Sequence, residues 1–166
     1  MPTPFNPTEL LTLAIKIEEN GHAYYSEMAL FAKTPELKAL LSQLAQAELK
    51  HVDDFRHIQK LLLENPVEMP EEYLTTEIEG YLHSMADGKI FPNLKGIEDI
   101  ATEITSEFDA IRHAISFEKD SIIFFTEIFD MLPTDFPDRQ AITALIHQEK
   151  IHIAQLYIIL GKVYQK

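Results

Sequence analysis

Two stretches of the chain carry the same small pattern, Glu48-x-x-His51 and Glu149-x-x-His152. Residues at i and i+3 share a helix face, about 5–6 Å apart at Cβ, so each pair can serve one metal ion. Each pair also follows, about thirty residues earlier, a glutamate set in an apolar stripe, Glu18 or Glu118. Four carboxylates and two imidazoles thus stand where leucine is expected. Burying an unpaired carboxylate is costly, and several together repel one another. A pair of divalent cations removes the conflict, because four carboxylates against two M(II) ions are formally neutral. The donor set suits iron, manganese or zinc. One Glu-x-x-His alone is a weak signal. Glu19-x-x-His22 is a third instance and is discounted because it lies off the stripe.

Helices must position these groups. Prolines at 2, 4, 7, 35, 66, 70, 92, 133 and 137 leave four long proline-free segments, and proline is expelled from helix interiors. The apolar period in these segments is 3–4. It selects Leu37, Leu41, Leu44, Glu48, His51, Phe55, Ile58 and Leu62 in the second, and Ile142, Leu145, Glu149, His152, Leu156 and Ile159 in the fourth. These are inward stripes of bundle helices. The expectation is one all-α domain over 1–166, with helices near 8–33, 36–64, 97–132 and 138–164. Thr34-Pro35-Glu36 reads as an N-cap, a first-turn proline and a first-turn acid. Short turns near 33–35 and 133–137 make two antiparallel hairpins. Residues 65–96 form a long crossover, with a short helix through Tyr73 to Met85. That connectivity is a ferritin-like four-helix bundle. In such bundles a Glu from each of two helices and a Glu-x-x-His from each of the other two hold two ions. Glu48 and Glu149 are expected to bridge, Glu18 and Glu118 to be terminal, and His51 and His152 to cap one ion each.

The chain also repeats itself. Residues 13–28 (LAIKIEENGHAYYSEM) align with 113–128 (HAISFEKDSIIFFTEI), and 44–51 (LAQAELKH) with 145–152 (LIHQEKIH). Glu18 falls on Glu118, and Tyr24-Tyr25 falls on Phe124-Phe125. The segments IEENGHAYY with AELKH, and FEKDSIIFF with HQEKIH, resemble the rubrerythrin branch of the ferritin-like superfamily over both hairpins. The resemblance places the family's metal ligands on Glu18, Glu48, His51, Glu118, Glu149 and His152. It implies two non-haem iron ions that react with hydrogen peroxide or dioxygen. Two departures follow. The family's additional carboxylate three residues after the third-helix ligand is Ser121 here. Its four-cysteine iron site has no counterpart, since the chain has no cysteine. A peroxidase of this kind therefore needs a separate electron-donor protein.

Other residues on the stripes carry two readings each. Tyr25 lies two turns from Glu18 and reads as a donor to the metal pocket or as core packing. Gly21 and Ser121 leave room for peroxide or water, or serve helix packing. Glu107 lines an iron access path or reaches solvent at the bundle end. His113 and His147 shortly precede ligand positions and are candidates to support them.

Composition sets the bounds. The formal charge is -13, from 14 Lys and Arg against 27 Asp and Glu, a poor match for nucleic acid or an anionic membrane. With no cysteine there are no disulfides, iron–sulfur centres, cysteine-ligated iron or thiol nucleophiles, and no haem is expected. No secretory leader and no membrane span are read from the chain, so a cytoplasmic protein and a symmetric homodimer are the expectations. No nucleophilic triad, phosphate loop or dinucleotide fingerprint competes with the metal reading. The functions expected are di-iron oxidation by peroxide or dioxygen, iron handling by a ferroxidase without turnover, or an interaction module whose site holds zinc or nothing.

Overall fold

Capping chemistry and proline together set where the helices begin. The computed structural model describes residues 6–86, 90 and 92–165. The leader reading at residues 1–5 and the crossover positions 87–89 and 91 lie outside them. Helix α1 (Pro7–Phe31) opens on a capping box: the Asn6 side chain accepts from the Glu9 N–H, and Glu9 accepts from the Asn6 N–H, each at 2.9 Å. Both orphan donors are thereby satisfied. Helix α2 (Pro35–Glu64) starts on proline, whose missing N–H costs nothing in a first turn.

The crossover holds a 3-10 turn at Glu71–Tyr73, then α3 (Thr76–Ala86) and α4 (Leu94–Glu103). Helices α5 (Glu107–Met131) and α6 (Gln140–Tyr164) complete the order. Contacts of Thr12 with Gln59 and of Glu19 with Arg56 run α1 and α2 antiparallel. The α5–α6 pair forms the second hairpin, α1 packs on α5, and α2 faces α6. The two hairpins and their crossover make an all-helical ferritin-like bundle. Its core is continuous, from Leu10, Leu11 and Tyr24 through Phe55 and Phe124 to Leu156. Among the described residues no helix is long and apolar enough to cross a membrane.

One helix over 97–132 was expected, and the chain breaks it in two. Ser106 caps α5, its Oγ accepting from the Asp109 N–H at 3.1 Å. The hydroxyls of Thr105 and Ser106 both donate to Asp109 Oδ2 at 2.9 Å. Short hydroxyl side chains that bond nearby backbone and carboxylate groups offer an alternative to the helical ladder. The fourth helix also starts later than expected, at Gln140, after Asp138 takes a left-handed conformation with φ 57°. Arg139 closes this turn by donating from Nε to the carbonyls of Leu132 (2.9 Å) and Phe129 (3.2 Å). The crossover is fastened to α5 by the Tyr73 hydroxyl, which reaches Glu127 Oε2 at 3.1 Å.

Glu107, half-exposed at the start of α5, also ties two hairpin elements together. Its Oε1 accepts from the N–H groups of Lys33 (2.7 Å) and Thr34 (2.8 Å), and its Oε2 from the Thr34 hydroxyl (2.8 Å). Thr34 therefore occupies the N-cap position of α2 without capping it through its side chain. One carboxylate ties the α1–α2 turn to the start of α5. Charged hydrogen bonds of this kind contribute about 1.5–3 kcal/mol each in protected sites and less near solvent. Glu107→Ala is expected to destabilise the protein by about 1–3 kcal/mol in a thermal or denaturant melt. Its metal content should stay unchanged; a metal-depleted variant of wild-type stability would place Glu107 on a metal path instead.

Candidate metal centre

Four helices each bring an acidic side chain to one level of the core. Glu18 comes from α1, Glu48 and His51 from α2, Glu118 from α5, and Glu149 and His152 from α6. All four carboxylates are fully buried, His51 is 0 % exposed and His152 6 %. One ligand atom from each of Glu18, Glu48, His51 and Glu149 can be chosen so that all lie within 4.8 Å of one another. The same holds for Glu48, Glu118, Glu149 and His152. The two sets share Glu48 and Glu149. The structure thus brings together all six residues singled out by the stripes, in the two overlapping groups that a pair of ions with shared carboxylates requires.

The contacts within the cluster are short. His51 Nδ1 lies 2.9 Å from Glu18 Oε2 and 2.7 Å from Glu149 Oε1. His152 Nδ1 lies 2.9 Å from Glu149 Oε2 and 3.4 Å from both Glu48 Oε1 and Glu118 Oε1. Both imidazoles therefore turn Nδ1 inward, and their rings stack with centroids 5.4 Å apart. Outward, His51 Nε2–H donates to Gln148 Oε1 at 2.8 Å. The Tyr25 hydroxyl donates to Glu118 Oε1.

Burial dominates the electrostatics. It raises Glu18 well above the usual carboxylate range, and the neighbouring Glu48 and Glu149 add to the effect. Glu118 is raised likewise, by burial and then by Glu149 and Glu48. Burial also pushes Glu149 up, but hydrogen bonds with His152, His51 and Glu118 outweigh it and hold Glu149 well below the usual range. For His152 burial disfavours the charge, yet the surrounding carboxylates push its pKa up to about 12. His51 is raised for the same reason, chiefly by Glu149. Burial and mutual repulsion thus favour protons on Glu18 and Glu118, and the surrounding carboxylates favour them on both histidines.

With its carboxylates ionised, the cluster leaves buried oxygens without a partner. Glu18 Oε1, Glu118 Oε2 and both oxygens of Glu48 are buried without a hydrogen bond. Buried polar atoms are rarely left so, and such orphans call for an ion or another partner. Carboxylate oxygen and imidazole nitrogen are donors for first-row divalent metals. The residues present therefore fit a pair of such ions.

Neighbouring residues sort themselves by position. Tyr25 is buried, and burial with the nearby Glu118 and Glu48 raises its hydroxyl well above the ordinary tyrosine range, so it stays a phenol and a donor. Ser121 is buried and its Oγ donates to the Phe117 carbonyl at 3.0 Å. His22, of the discounted third motif, bonds the Ala45 carbonyl through Nδ1 at 2.8 Å, and Glu19 pairs with Arg56. His147 is exposed. His113 packs against Phe117 with ring centroids 6.0 Å apart and lines a surface hollow of about 310 Å³ with Asp109, Arg112 and Ser116. Gln148 is the contributor that the stripes did not reveal. Its signal was available: a polar residue just before Glu149, where the first half of the repeat has Ala47.

Fold and cluster together define a ferritin-like helical bundle with a potential diiron site. The chain superposes on the crystal structure of a candidate ferritin-like diiron-carboxylate protein from Thermotoga maritima with a TM-score of 0.68 and 23% identity. The match covers 97% of this chain and 98% of that one. A search of curated protein sequences finds no significant match. The rubrerythrin family model matches residues 9–156, which include every residue of the cluster. The chain belongs to the rubrerythrin family.

Proposed function

We propose that this protein binds two iron ions through Glu18, Glu48, His51, Glu118, Glu149 and His152 and uses them to reduce hydrogen peroxide or dioxygen, with electrons returned by a separate donor protein. The observation that carries this reading is the pair of overlapping ligand groups sharing Glu48 and Glu149. When bound, two Fe(II) ions supply one electron each, which with two protons convert one hydrogen peroxide into two waters. Glu48 and Glu149 would contribute to both positions, and His51 and His152 would each offer Nδ1 to one of them. The buried walls limit bulk water to the edge beside His152 and strengthen the charge interactions inside. Tyr25 holds its proton at the hydroxyl and aims it at Glu118, which fixes the orientation of that carboxylate.

Tyr25→Phe should keep both irons and the fold, but lower peroxide turnover by roughly tenfold or more, the usual size of effect for removing a partner of a metal-binding carboxylate. Unchanged turnover in the loaded variant would reduce Tyr25 to packing.

A second reading is favoured by one feature. Ser121 stands where the family resemblance leads one to expect an additional carboxylate, and its hydroxyl is turned back to its own helix. Without that ligand the centre suits a single oxidation, as in iron handling. Stopped-flow mixing of the reduced, iron-loaded protein with peroxide and excess reductant separates the two. Many turnovers per site support the peroxidase; one turnover, with oxidised iron retained or released, contradicts it and supports the ferroxidase.

A further inference from the structure

We infer that the two metal positions are inequivalent and that Gln148 is the residue that makes the His51 position the tighter one; the inference rests on the di-metal reading above. The two halves of the chain repeat, so a symmetric centre would be expected. Glu18 matches Glu118, Glu48 matches Glu149, and His51 matches His152. The symmetry fails in two places at the site: Tyr25, whose hydroxyl donates to Glu118, is matched by Phe125, and the position before each shared glutamate differs. Gln148 stands on α6 where α2 has Ala47.

The consequence is local and chemical. An imidazole can give a lone pair from Nδ1 only if its remaining proton sits on Nε2. Which nitrogen carries that proton is set by the hydrogen bond that the other ring edge makes. Gln148 Oε1 accepts from His51 Nε2 at 2.8 Å, across the interface between α6 and α2. This contact fixes the tautomer and the ring plane that leave Nδ1 for a metal, 2.7–2.9 Å from Glu149 and Glu18. An alanine methyl cannot do the same for His152. Exposure follows the same division: the His51 side chain is 0 % exposed and that of His152 8 %. A supported, sealed histidine pays less to order itself around an ion than one at the edge of solvent. The Glu18, His51 position therefore fills first and releases its ion last. The Glu118, His152 position is the exchangeable one. Gln148 acts through His51, so it is a positioning residue and not a ligand.

Cobalt(II) titration of the full-length metal-free protein tests this directly. Ligand-field absorption follows each binding step against a chelator of known affinity, and native mass spectrometry counts ions per chain. Wild type should bind two cobalt ions in two resolved steps. Gln148→Leu keeps the size of the side chain and removes the acceptor. It should weaken the tighter step by about 10–100-fold, the range for loss of an outer partner of a metal-binding histidine, and leave the weaker step nearly unchanged. Gln148→Glu restores an acceptor and should recover the tighter step to within a few-fold. That rescue is what a merely structural role would not produce. Unresolved steps of equal affinity in wild type, equal weakening of both steps in Gln148→Leu, or failure of Gln148→Glu to recover would overturn the inference while leaving the di-metal reading intact. A wild-type protein that binds no cobalt and no iron would overturn both.

Discussion

Removing Glu48 should abolish the metal-dependent stability of this protein, not halve it. Glu48 belongs to both ligand groups, and neither of its oxygens has a hydrogen bond in the metal-free cluster. On the function proposed above, Glu48 binds at both positions at once. An ion that binds the folded chain and not the unfolded one stabilises by mass action, about 2.7–4.1 kcal/mol per site at 100 to 1,000 times its dissociation constant. For a domain of this size each kcal/mol moves the melting temperature by roughly 2–4 °C. Chelation of loaded wild-type protein should thus lower the melting temperature by about 5–16 °C if one site dominates, and by more if both contribute. Glu48→Ala should melt at the same temperature with and without chelator. Glu107→Ala, changed outside the cluster, should retain the full chelator-dependent shift on a lower baseline. A Glu48→Ala variant that still responds to chelation like wild type would remove Glu48 from the centre.

Acid should empty the site, and the metal-free and metal-loaded proteins should respond to pH in opposite directions. Glu18, Glu118, His51 and His152 have pKa values raised above their ordinary ones in the metal-free fold. A group raised on folding contributes stability that is fully present below its unfolded pKa and is lost as pH rises through its folded pKa. Glu18 and Glu118 therefore make the metal-free protein less stable as pH climbs above the ordinary carboxylate range, and His51 and His152 do so as it climbs above the ordinary imidazole range. Glu149 is depressed, so its contribution is present above the ordinary carboxylate pKa and is lost on further acidification. Metal binding must expel the protons held on the raised groups. Its affinity should fall about tenfold per pH unit for each proton released, so a release of two protons costs roughly 10,000-fold between pH 7.5 and 5.5. The melting-temperature gap between loaded and metal-free protein should therefore close as pH falls through this window. Calorimetric titration in buffers of different ionisation enthalpy counts the protons. Release of none, with affinity flat in pH, would contradict the electrostatic account of the cluster.

The six residues that converge in the core were legible because they break a strong rule. Carboxylates on inward stripes are rare, and their recurrence in both halves, each with a Glu-x-x-His about thirty residues later, marked Glu18, Glu48, His51, Glu118, Glu149 and His152. The bundle was legible for the same kind of reason: proline, short turns and a 3–4 period each act within one helix. What escaped notice depends on contacts between helices or on local capping chemistry. Glu107 lay on the stripe, and its carboxylate was free to be read as solvated until the α1–α2 turn was seen to rest on it. Gln148 is half-buried on the α6 side that faces α2, a place where glutamine is ordinary; its meaning lies in a ring nitrogen on another helix. The break before α5 could have been read from Thr105-Ser106-x-x-Asp109, a cap signature that the continuing apolar period of Ile100, Ile104 and Ile111 concealed. The capping box at Asn6 and Glu9 is similarly local and was available in the sequence.

The central claim is that two iron ions sit side by side, joined by Glu48 and Glu149. Anomalous diffraction at the iron edge, on crystals of protein loaded anaerobically with Fe(II), tests it most directly. The account predicts two anomalous peaks per chain, roughly 3.5–4 Å apart. Glu48 and Glu149 should each contact both peaks, with Glu18 and His51 on one and Glu118 and His152 on the other. A single peak, or two peaks with either shared glutamate bound to one ion alone, would contradict it.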